Sequence, residues 1–161
     1  MRPAELAGDE TPMLPVIEHT LMALASSGWE AEMIVLLQPT SPLRTARHIR
    51  DAVTLLRDTR ADSVVSVVEL PRHLSPDYVM RLEGGVLRPF LPEGERVTRR
   101  QDARAAYARE GTVYAFRRAT LERFGNIYGD ASLPLMVAPD ESLSIDSPAD
   151  WDAAEKRLAG R

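Results

Sequence analysis

Two short apolar runs separated by an amphipathic stretch constrain this chain more than any other feature. The runs are Met33–Leu37 and Ser63–Val68, and each is typical of a β-strand buried on both faces. Between them, Thr45 can cap a helix whose apolar stripe is formed by Ile49, Ala52, Val53 and Leu56. A strand–helix–strand unit predicts parallel strands. We therefore expect an α/β fold with a parallel or mixed sheet covered by helices.

The rest of the pattern adds one element before this unit and several after it. Upstream, apolar residues at spacings of three and four between Thr11 and Trp29 predict a helix that ends at Gly28. Downstream we predict a strand at Thr112–Phe116, a helix at Ala119–Phe124 ending at Gly125, a strand at Leu135–Val137, and a helix capped by Ser147 and Asp150. These elements continue the alternation of helices and strands.

Residues 71–109 break the alternation. They contain four prolines and eight arginines, and a Gly-Gly pair forms the expected turn of a hairpin. We expect its strands at Tyr78–Leu82 and Val86–Phe90, in a hairpin too extended to bury Tyr78, Val86 and Phe90. The sequence therefore predicts one domain, residues 1–161, with residues 71–109 as an inserted flap.

Composition excludes several classes of protein. Twenty basic and twenty-four acidic residues give a net charge of −4, too balanced for a nucleic-acid binder that works by charge alone. The longest apolar runs fall far short of the ~18 residues of a spanning helix, and the chain has no cysteine. We expect a cytoplasmic protein that binds neither nucleic acid nor membrane. Lys156 is the only lysine, so any step that needs a lysine uses it or a group outside this chain.

Ligands of open α/β sheets bind at the carboxyl ends of the strands, which directs attention to the loops after Leu37, Val68, Phe116 and Ile145. The first loop, Gln38–Arg44, carries an amide, two hydroxyls and a guanidinium on a backbone restricted by two prolines. From the residues alone, it can equally be a ligand-binding loop or a loop that only caps the next helix.

The last of these loops carries Asp146, which we expect at a strand end. Its carboxylate can ligate Mg²⁺ beside the phosphates of a nucleotide, or it can share the capping of the terminal helix with Ser147. The residues alone favour the capping role. The sequence holds neither a Gly-rich phosphate loop nor a Ser-His-Asp signal.

Several segments, in this order and at these separations, resemble one family. Arg2–Ala7, Leu36–Arg44 and Asp146–Trp151 are similar to segments of the cytidylyltransferases that make CMP-sialic acid and related CMP-activated nine-carbon acids. Arg99–Asp102 and Glu110–Tyr114 resemble two further segments of that family. The resemblance covers essentially the whole chain, and the Gln-Pro-Thr-Ser-Pro loop is its most specific part.

The resemblance implies a Rossmann-like nucleotidyltransferase with helices on both faces of its sheet. In such enzymes a hydroxyl of the sugar acid attacks the α-phosphorus of CTP and releases pyrophosphate with the help of Mg²⁺. By resemblance, Arg2 would approach the nucleotide, Gln38 the sugar acid, and Asp146 the metal. Substrate-binding roles would fall to Thr40, Ser41, Arg44, Arg100, Gln101, Glu110 and Tyr114. Arg100 belongs to the flap, which in the family exchanges between two subunits, so we expect a homodimer.

Three features depart from the family pattern. The family begins with a strand and a Gly- and Lys-bearing loop that grips the nucleotide, and this chain starts after them. We expect an N-terminal truncation that leaves the chain, as given, without useful CMP-sugar synthesis. The two aspartates of the family's metal site correspond to Ser144 and Asp146. Glu110 replaces a neutral asparagine, which weakens binding of an anionic sugar unless Glu110 turns away or pairs with an arginine.

Two hypotheses follow from these observations. In the first, the protein transfers a cytidylyl group from CTP to a sialic-acid-like sugar acid. In the second, it is a non-catalytic remnant that folds, and that dimerises, without turning over CTP. An in-frame Gly/Lys-rich segment in the genomic DNA upstream of Met1 would favour the enzyme, and a stop codon would favour the remnant.

Overall fold

A computed structural model of the chain describes residues 2–160, with residues 95 and 96 described by their backbone only. The strands are β1 (Met33–Leu36), β2 (Ser63–Glu69), β3 (Met80–Glu83), β4 (Val86–Pro89), β5 (Tyr107–Arg117) and β6 (Ser132–Met136). The helices are α1 (Met13–Ser26), α2 (Ala46–Asp58), α3 (Arg118–Phe124) and α4 (Pro148–Ala159). Short 3₁₀ turns lie at Ala4–Leu6, Arg72–Leu74, Pro92–Arg96 and Arg100–Asp102.

Four strands form a mixed sheet in the order β1-β5-β2-β6. β5 pairs antiparallel with β1, with Met33 opposite Arg117 and Leu36 opposite Tyr114. It also runs antiparallel to β2, because backbone bonds join Arg117 to Asp62 and Leu70 to Ala106. β1 and β2 therefore run in the same direction, as the strand–helix–strand pattern predicts. The α/β fold with a mixed sheet is confirmed, and β5 is the antiparallel strand that separates those two parallel strands.

The antiparallel direction of β5 also corrects one candidate loop. The loop after Phe116 leaves the sheet beside the first residue of β1, whereas the loop after Leu37 leaves it beyond the last residue of β1. The two loops therefore follow opposite ends of the strands. Arg117 has a structural role there, since its guanidinium donates to the carbonyl oxygens of Leu56 (2.6 Å), Thr59 (2.9 Å) and Ala61 (3.1 Å). These bonds satisfy carbonyls at and beyond the end of α2.

The chain forms two compact units, and the strands β2, β5 and β6 each have residues in both units. The first comprises residues 2–37, 46–65 and 113–134. Its core contains Ile17 of α1, Phe116 of β5 and Leu121 of α3, against which partly buried side chains of β1 pack. The expectation that β1 is buried on both faces is wrong, since every residue of β1 is only half-buried. In the described sheet β1 is an edge strand, and it lines a groove of about 340 Å³ beside α1.

Helix boundaries follow the local signals in the sequence. α1 begins after Pro12, and the chain turns at Gly28 with φ +83°. α3 ends at Gly125 with φ +63°, a conformation that glycine adopts without steric cost. α4 has Ser147 as its N-cap, and the Asp150 carboxylate accepts a bond from the Ser147 hydroxyl at 2.7 Å. This reciprocal cap confirms the prediction for both residues.

The second unit comprises residues 38–45, 66–112 and 135–160 and contains the β3–β4 hairpin. Its cross-strand pairs are Met80 with Pro89 and Leu82 with Leu87 on one face, and Arg81 with Arg88 and Glu83 with Val86 on the other. The first face is apolar, yet Leu82 is 71% and Leu87 63% exposed. The hairpin leaves Val86 and Phe90 exposed as expected, whereas the Tyr78 hydroxyl is buried.

β5 begins at Tyr107, so the last three residues of the expected flap already belong to the sheet. Within residues 71–106, Asp77 makes the principal ionic contact, since its carboxylate accepts bonds from the Arg104 guanidinium and from the Arg104 backbone N–H (2.8 Å). These bonds lower the pKa of Asp77 to about 2. Across residues 2–160, no helix combines the length and the apolar character needed to cross a membrane.

Candidate active site

The loop that follows β1 is held in place by one of its own side chains. Arg44 donates from Nε to the Thr112 carbonyl oxygen at 2.6 Å, and from Nη2 to the carbonyl oxygen of Gln38. Backbone contacts from Ser41 N to Gln38 O (3.3 Å) and from Arg44 N to Ser41 O (3.4 Å) fold the loop between these ends. A forked guanidinium can bridge two carbonyls where an ammonium cannot. Arg44 therefore fixes the backbone at Gln38 relative to β5.

A bend in β5 lies opposite this loop. Gly111 has φ +86°, and a Cβ built on it would lie 2.7 Å from Gln38 Oε1 and 3.3 Å from Ser41 Oγ. The two sides of the bend are joined by Glu110, whose carboxylate accepts from the Thr112 amide at 3.0 Å and from the Thr112 hydroxyl at 2.8 Å. Because Gly111 has no side chain, the space beside its Cα is free for the Gln38 amide.

Charge in this cluster is balanced locally. Burial lowers the pKa of Arg44, and the nearby Glu110 carboxylate opposes that shift. Both oxygens of Glu110 face Thr112, which is 1% exposed. The structure thus meets one of the two conditions under which an anion at this position is tolerated, because Glu110 folds back onto its own strand.

Ser41 differs from the other polar side chains of the loop. It is 3% exposed, and its hydroxyl has no hydrogen-bond partner among the residues that the structure describes. Buried hydroxyl groups are normally bonded, so the unbonded Ser41 hydroxyl indicates a place for a water molecule or a polar ligand atom.

Thr40 connects the loop to the segment that carries Asp146. The Ile145 amide donates to the Thr40 carbonyl oxygen at 2.9 Å, which brings the two loops together. Asp146 is exposed and does not follow a regular strand, so the expectation that it lies at a strand end is wrong. The Asp146 amide donates to Asp150 at 3.2 Å. The cap therefore uses the backbone of Asp146 and the side chains of Ser147 and Asp150, which leaves the Asp146 carboxylate outside it.

The donor set at Asp146 determines which metal could bind there. Among residues 2–160, no group of three or more His, Asp or Glu side chains could hold a metal ion. One exposed carboxylate fits only an ion that takes most of its ligands elsewhere. Mg²⁺ behaves in this way, since it keeps several waters and binds substrate phosphates.

The structure also gives the positions of the remaining predicted site residues. Arg100 and Gln101 are exposed in the 3₁₀ turn Arg100–Asp102. Tyr114 belongs to β5, two residues beyond Thr112, and lies opposite Leu36. Arg2 is exposed ahead of the first 3₁₀ turn. Their roles stay predictions.

Sequence reasoning missed Gly111 and Thr112 as site residues. Both lie more than 60 positions from Arg44 and Gln38, so only the folded chain reveals these contacts. The available signal is a glycine inside a strand pattern, which often marks a bulge or a close approach of another group.

Comparisons with known proteins bear on this arrangement. The chain is 28% identical over 161 residues to a CMP-N,N'-diacetyllegionaminic acid synthase of Legionella pneumophila, with 98% of this chain and 67% of the relative covered. It is 27% identical over 151 residues to an N-acylneuraminate cytidylyltransferase of Streptococcus agalactiae (94% of this chain, 35% of the relative). It is 28% identical over 158 residues to one of Oncorhynchus mykiss (98% and 35%). The chain is thus similar in sequence to cytidylyltransferases of the CMP-sialic acid synthetase type.

A solved structure has a similar fold. A CMP:2-keto-3-deoxy-manno-octonic acid synthetase complexed with CTP superposes with a TM-score of 0.59, covering 94% of this chain and 70% of that chain at 13% identity. No protein-family model matches the chain. The chain spans 67% of the Legionella relative and 35% of the other two.

Proposed function

We propose that this protein transfers a cytidylyl group from CTP to a sialic-acid-like sugar acid, giving a CMP-sugar and pyrophosphate. The observation that carries the proposal is the loop after β1, in which Arg44 fixes the Gln38 backbone relative to β5 and the missing side chain of Gly111 leaves room for the Gln38 amide. The type of reaction is taken from the names of the relatives, which match nearly the whole chain. We place the reaction in the cytoplasm as part of the same proposal.

The chemistry requires positioning more than a covalent nucleophile. A sugar hydroxyl oxygen bonds to the α-phosphorus of CTP while the bond to the bridging oxygen of pyrophosphate breaks, and the hydroxyl proton leaves to base or water. In this proposal Gln38 orients the sugar acid. Thr40 and Ser41 shape the floor between the two substrates, and Arg2 approaches the nucleotide.

Asp146 would hold Mg²⁺ in this proposal. When bound, the ion neutralises phosphate charge. Asp146 would contribute the single protein carboxylate, which its exposure and its freedom from the helix cap permit. Ser144 occupies the second position of the family pair and offers a hydroxyl in place of a carboxylate, which leaves the triphosphate and water as the other ligands.

A homodimer is also part of the proposal, with the β3–β4 hairpin as the contact. On the apolar face Met80, Leu82 and Leu87 are exposed and Pro89 is half-buried, while the opposite face carries Arg81, Arg88 and Glu83 together with Val86. A two-stranded hairpin that exposes an apolar face is expected to bury it against a partner, and a second copy of this chain is the partner proposed. Arg100 and Gln101 would then reach the neighbouring site, and Tyr114 would line the sugar pocket.

The second candidate is a protein that binds a sugar acid without turning over CTP. It is favoured by the position of the one lysine, Lys156, which is exposed on α4. Pyrophosphate release from CTP by the native gene product tests the two, with N-acetylneuraminic acid, 2-keto-3-deoxy-manno-octonic acid and legionaminic acid as acceptors. Turnover that requires an acceptor supports the enzyme. Binding of an acceptor by calorimetry without turnover supports the second candidate, and neither binding nor turnover contradicts both.

A further inference from the structure

Asp77 is a buried carboxylate at the base of the β3–β4 hairpin. Its side chain is 2% exposed, whereas that of its partner Arg104 is 63% exposed. The carboxylate accepts bonds from three donors of Arg104: the backbone N–H at 2.8 Å, Nε at 3.0 Å and Nη2. Because these charge-assisted bonds reach both the main chain and the side chain of Arg104, they leave that residue little freedom. We call this contact the Asp77–Arg104 clamp.

The backbone on the hairpin side of the clamp is tied to Asp77. The Val79 amide donates to the Ser75 carbonyl oxygen at 3.1 Å, and the Phe90 amide donates to the Val79 carbonyl oxygen at 2.9 Å. Where the chain returns from the hairpin, a Cβ built on Gly94 would lie 2.8 Å from the Asp77 carbonyl oxygen. The entry and the return of the hairpin therefore both pack at Asp77.

The turn that carries two of the predicted site residues, Arg100 and Gln101, ends directly before the clamp. Ala103 follows the turn, is 3% exposed, and donates from its amide to the Arg100 carbonyl oxygen at 3.2 Å. Its own carbonyl oxygen accepts a bond from Arg72 Nη1. The next residue is Arg104. The exit of the turn is therefore attached to the segment before the hairpin at two consecutive positions.

The clamp stays ionic at the pH of any enzyme assay. Hydrogen bonds from Arg104 lower the pKa of Asp77 to about 2, and a guanidinium keeps its proton throughout that range. Within the turn, Arg99 pairs with Asp102 at 2.8 Å. Two arginines of this segment are thus engaged with carboxylates of the same chain, and Arg100, which lies between them in sequence, is exposed.

We propose that Asp77 is a positioning residue, whose clamp on Arg104 holds the turn 100–102 at one place relative to the hairpin. The side chains of Arg100 and Gln101 then keep a constant distance from the surface that contacts the second copy. This inference rests on the proposed function for the dimer and for the roles of these two side chains. The attachment of the turn to the hairpin stands on the geometry alone and has its own test.

NMR relaxation of the backbone ¹⁵N atoms of residues 100–103 tests the attachment. Asp77→Asn removes the charge of the clamp, and Arg104→Lys keeps the charge but loses the fork. The matched control is Asp58→Asn, the same replacement in an exposed ion pair with Arg57. We expect order parameters near about 0.85 in the wild type and the control, and a fall toward about 0.6 in both clamp variants.

Arg104→Lys decides the matter if Asp77→Asn does not fold, because it leaves the buried carboxylate with a cationic partner. Order parameters equal to those of the wild type, in whichever variant folds, overturn the positioning role. A fall of the same size at the Val137 amide, which donates to the Val67 carbonyl oxygen of β2, shows general loosening and also overturns it.

Kinetics then test what the clamp positions. In the native gene product, Asp77→Asn should keep the dimer mass and lower kcat/KM for the sugar acid by about 10-fold. Misplacement of Arg100 and Gln101 has no further effect once their side chains are removed, whereas a general defect adds to that loss. We therefore expect Asp77→Asn to cost less than about twofold in the Arg100→Ala/Gln101→Ala background.

The remaining outcomes separate the clamp from the proposed function. No loss in Asp77→Asn, losses that add in the combined variant, or a monomeric Asp77→Asn from a dimeric wild type overturn the inference. A wild type that is monomeric or without turnover contradicts the proposed function, and the relaxation result then judges the attachment of the turn.

Discussion

Removing the Arg44 side chain should destabilise the protein by more than its exposure suggests. Arg44 makes two charge-assisted hydrogen bonds, to the carbonyl oxygens of Thr112 and Gln38. Such bonds contribute about 1.5–3 kcal/mol each, and water replaces part of them at a half-buried site. We therefore expect Arg44→Ala to lower the free energy of unfolding by about 3 kcal/mol, which corresponds to a fall of about 6–12 °C in Tm for a chain of this size.

The assay compares Arg44→Ala with Arg44→Lys and with an exposed control. Lysine keeps the positive charge but cannot donate to both carbonyls from a fixed fork, so Arg44→Lys should restore less than half of the lost stability. The control is Arg57→Ala, which breaks an exposed ion pair with Asp58. Exposed pairs of this kind contribute little, and its Tm should stay close to that of the wild type.

Calorimetric melting of the three variants gives the answer. A Tm for Arg44→Ala within about 2 °C of the Arg57→Ala value would refute the claim that Arg44 fixes the loop. Full recovery in Arg44→Lys would refute the part of the reasoning that rests on the forked geometry. In either case Gln38 would have to be held by something other than Arg44.

Three further outcomes follow from the structure. Asp77 has a pKa lowered to about 2, below its unfolded value, so it stabilises the fold above about pH 4 and loses that contribution as pH falls toward 2. Unfolding followed against pH should show this loss in the wild type and not in Asp77→Asn. In the native gene product, Asp146→Asn should abolish most activity with little change in Tm, whereas Ser144→Asp should leave the Mg²⁺ requirement unchanged or lower it. An active Asp146→Asn enzyme with unchanged Mg²⁺ dependence excludes the metal role. Light scattering at tens of micromolar should give a dimer mass that deletion of residues 79–90 converts to a monomer mass, and a monomeric wild type contradicts the hairpin contact.

Local signals in the sequence predict most of the elements correctly. Gly125 ends α3, and Ser147 with Asp150 caps α4, because these effects depend on residues within one turn of each other. The β3–β4 hairpin follows from a Gly-Gly pair whose φ values, +56° and +82°, suit a tight turn.

Strand order depends on contacts between residues far apart in sequence, so local sequence patterns do not predict it. β5 inserts between β1 and β2 although it follows both of them in the chain, and no local pattern specifies that pairing. The same limit applies to the site. The loop at Gln38–Arg44 is visible as a cluster of polar residues, but its contact with Gly111 depends on the folded sheet. The sequence predicts a strand end at Asp146, but residues 142–146 form no regular strand, and the backbone bond from Ile145 to Thr40 joins this segment to the loop after β1.

The most direct test of the central claim is sugar-acid-dependent pyrophosphate release from CTP by the native gene product, measured for the wild type, Gln38→Ala and Arg57→Ala. The account predicts release by the wild type and by Arg57→Ala with at least one of the three sugar acids. It predicts a loss of about 100-fold in kcat/KM for the sugar acid in Gln38→Ala. A folded wild type that releases no pyrophosphate with any of the three acids, or a Gln38→Ala variant as active as the wild type, would contradict it.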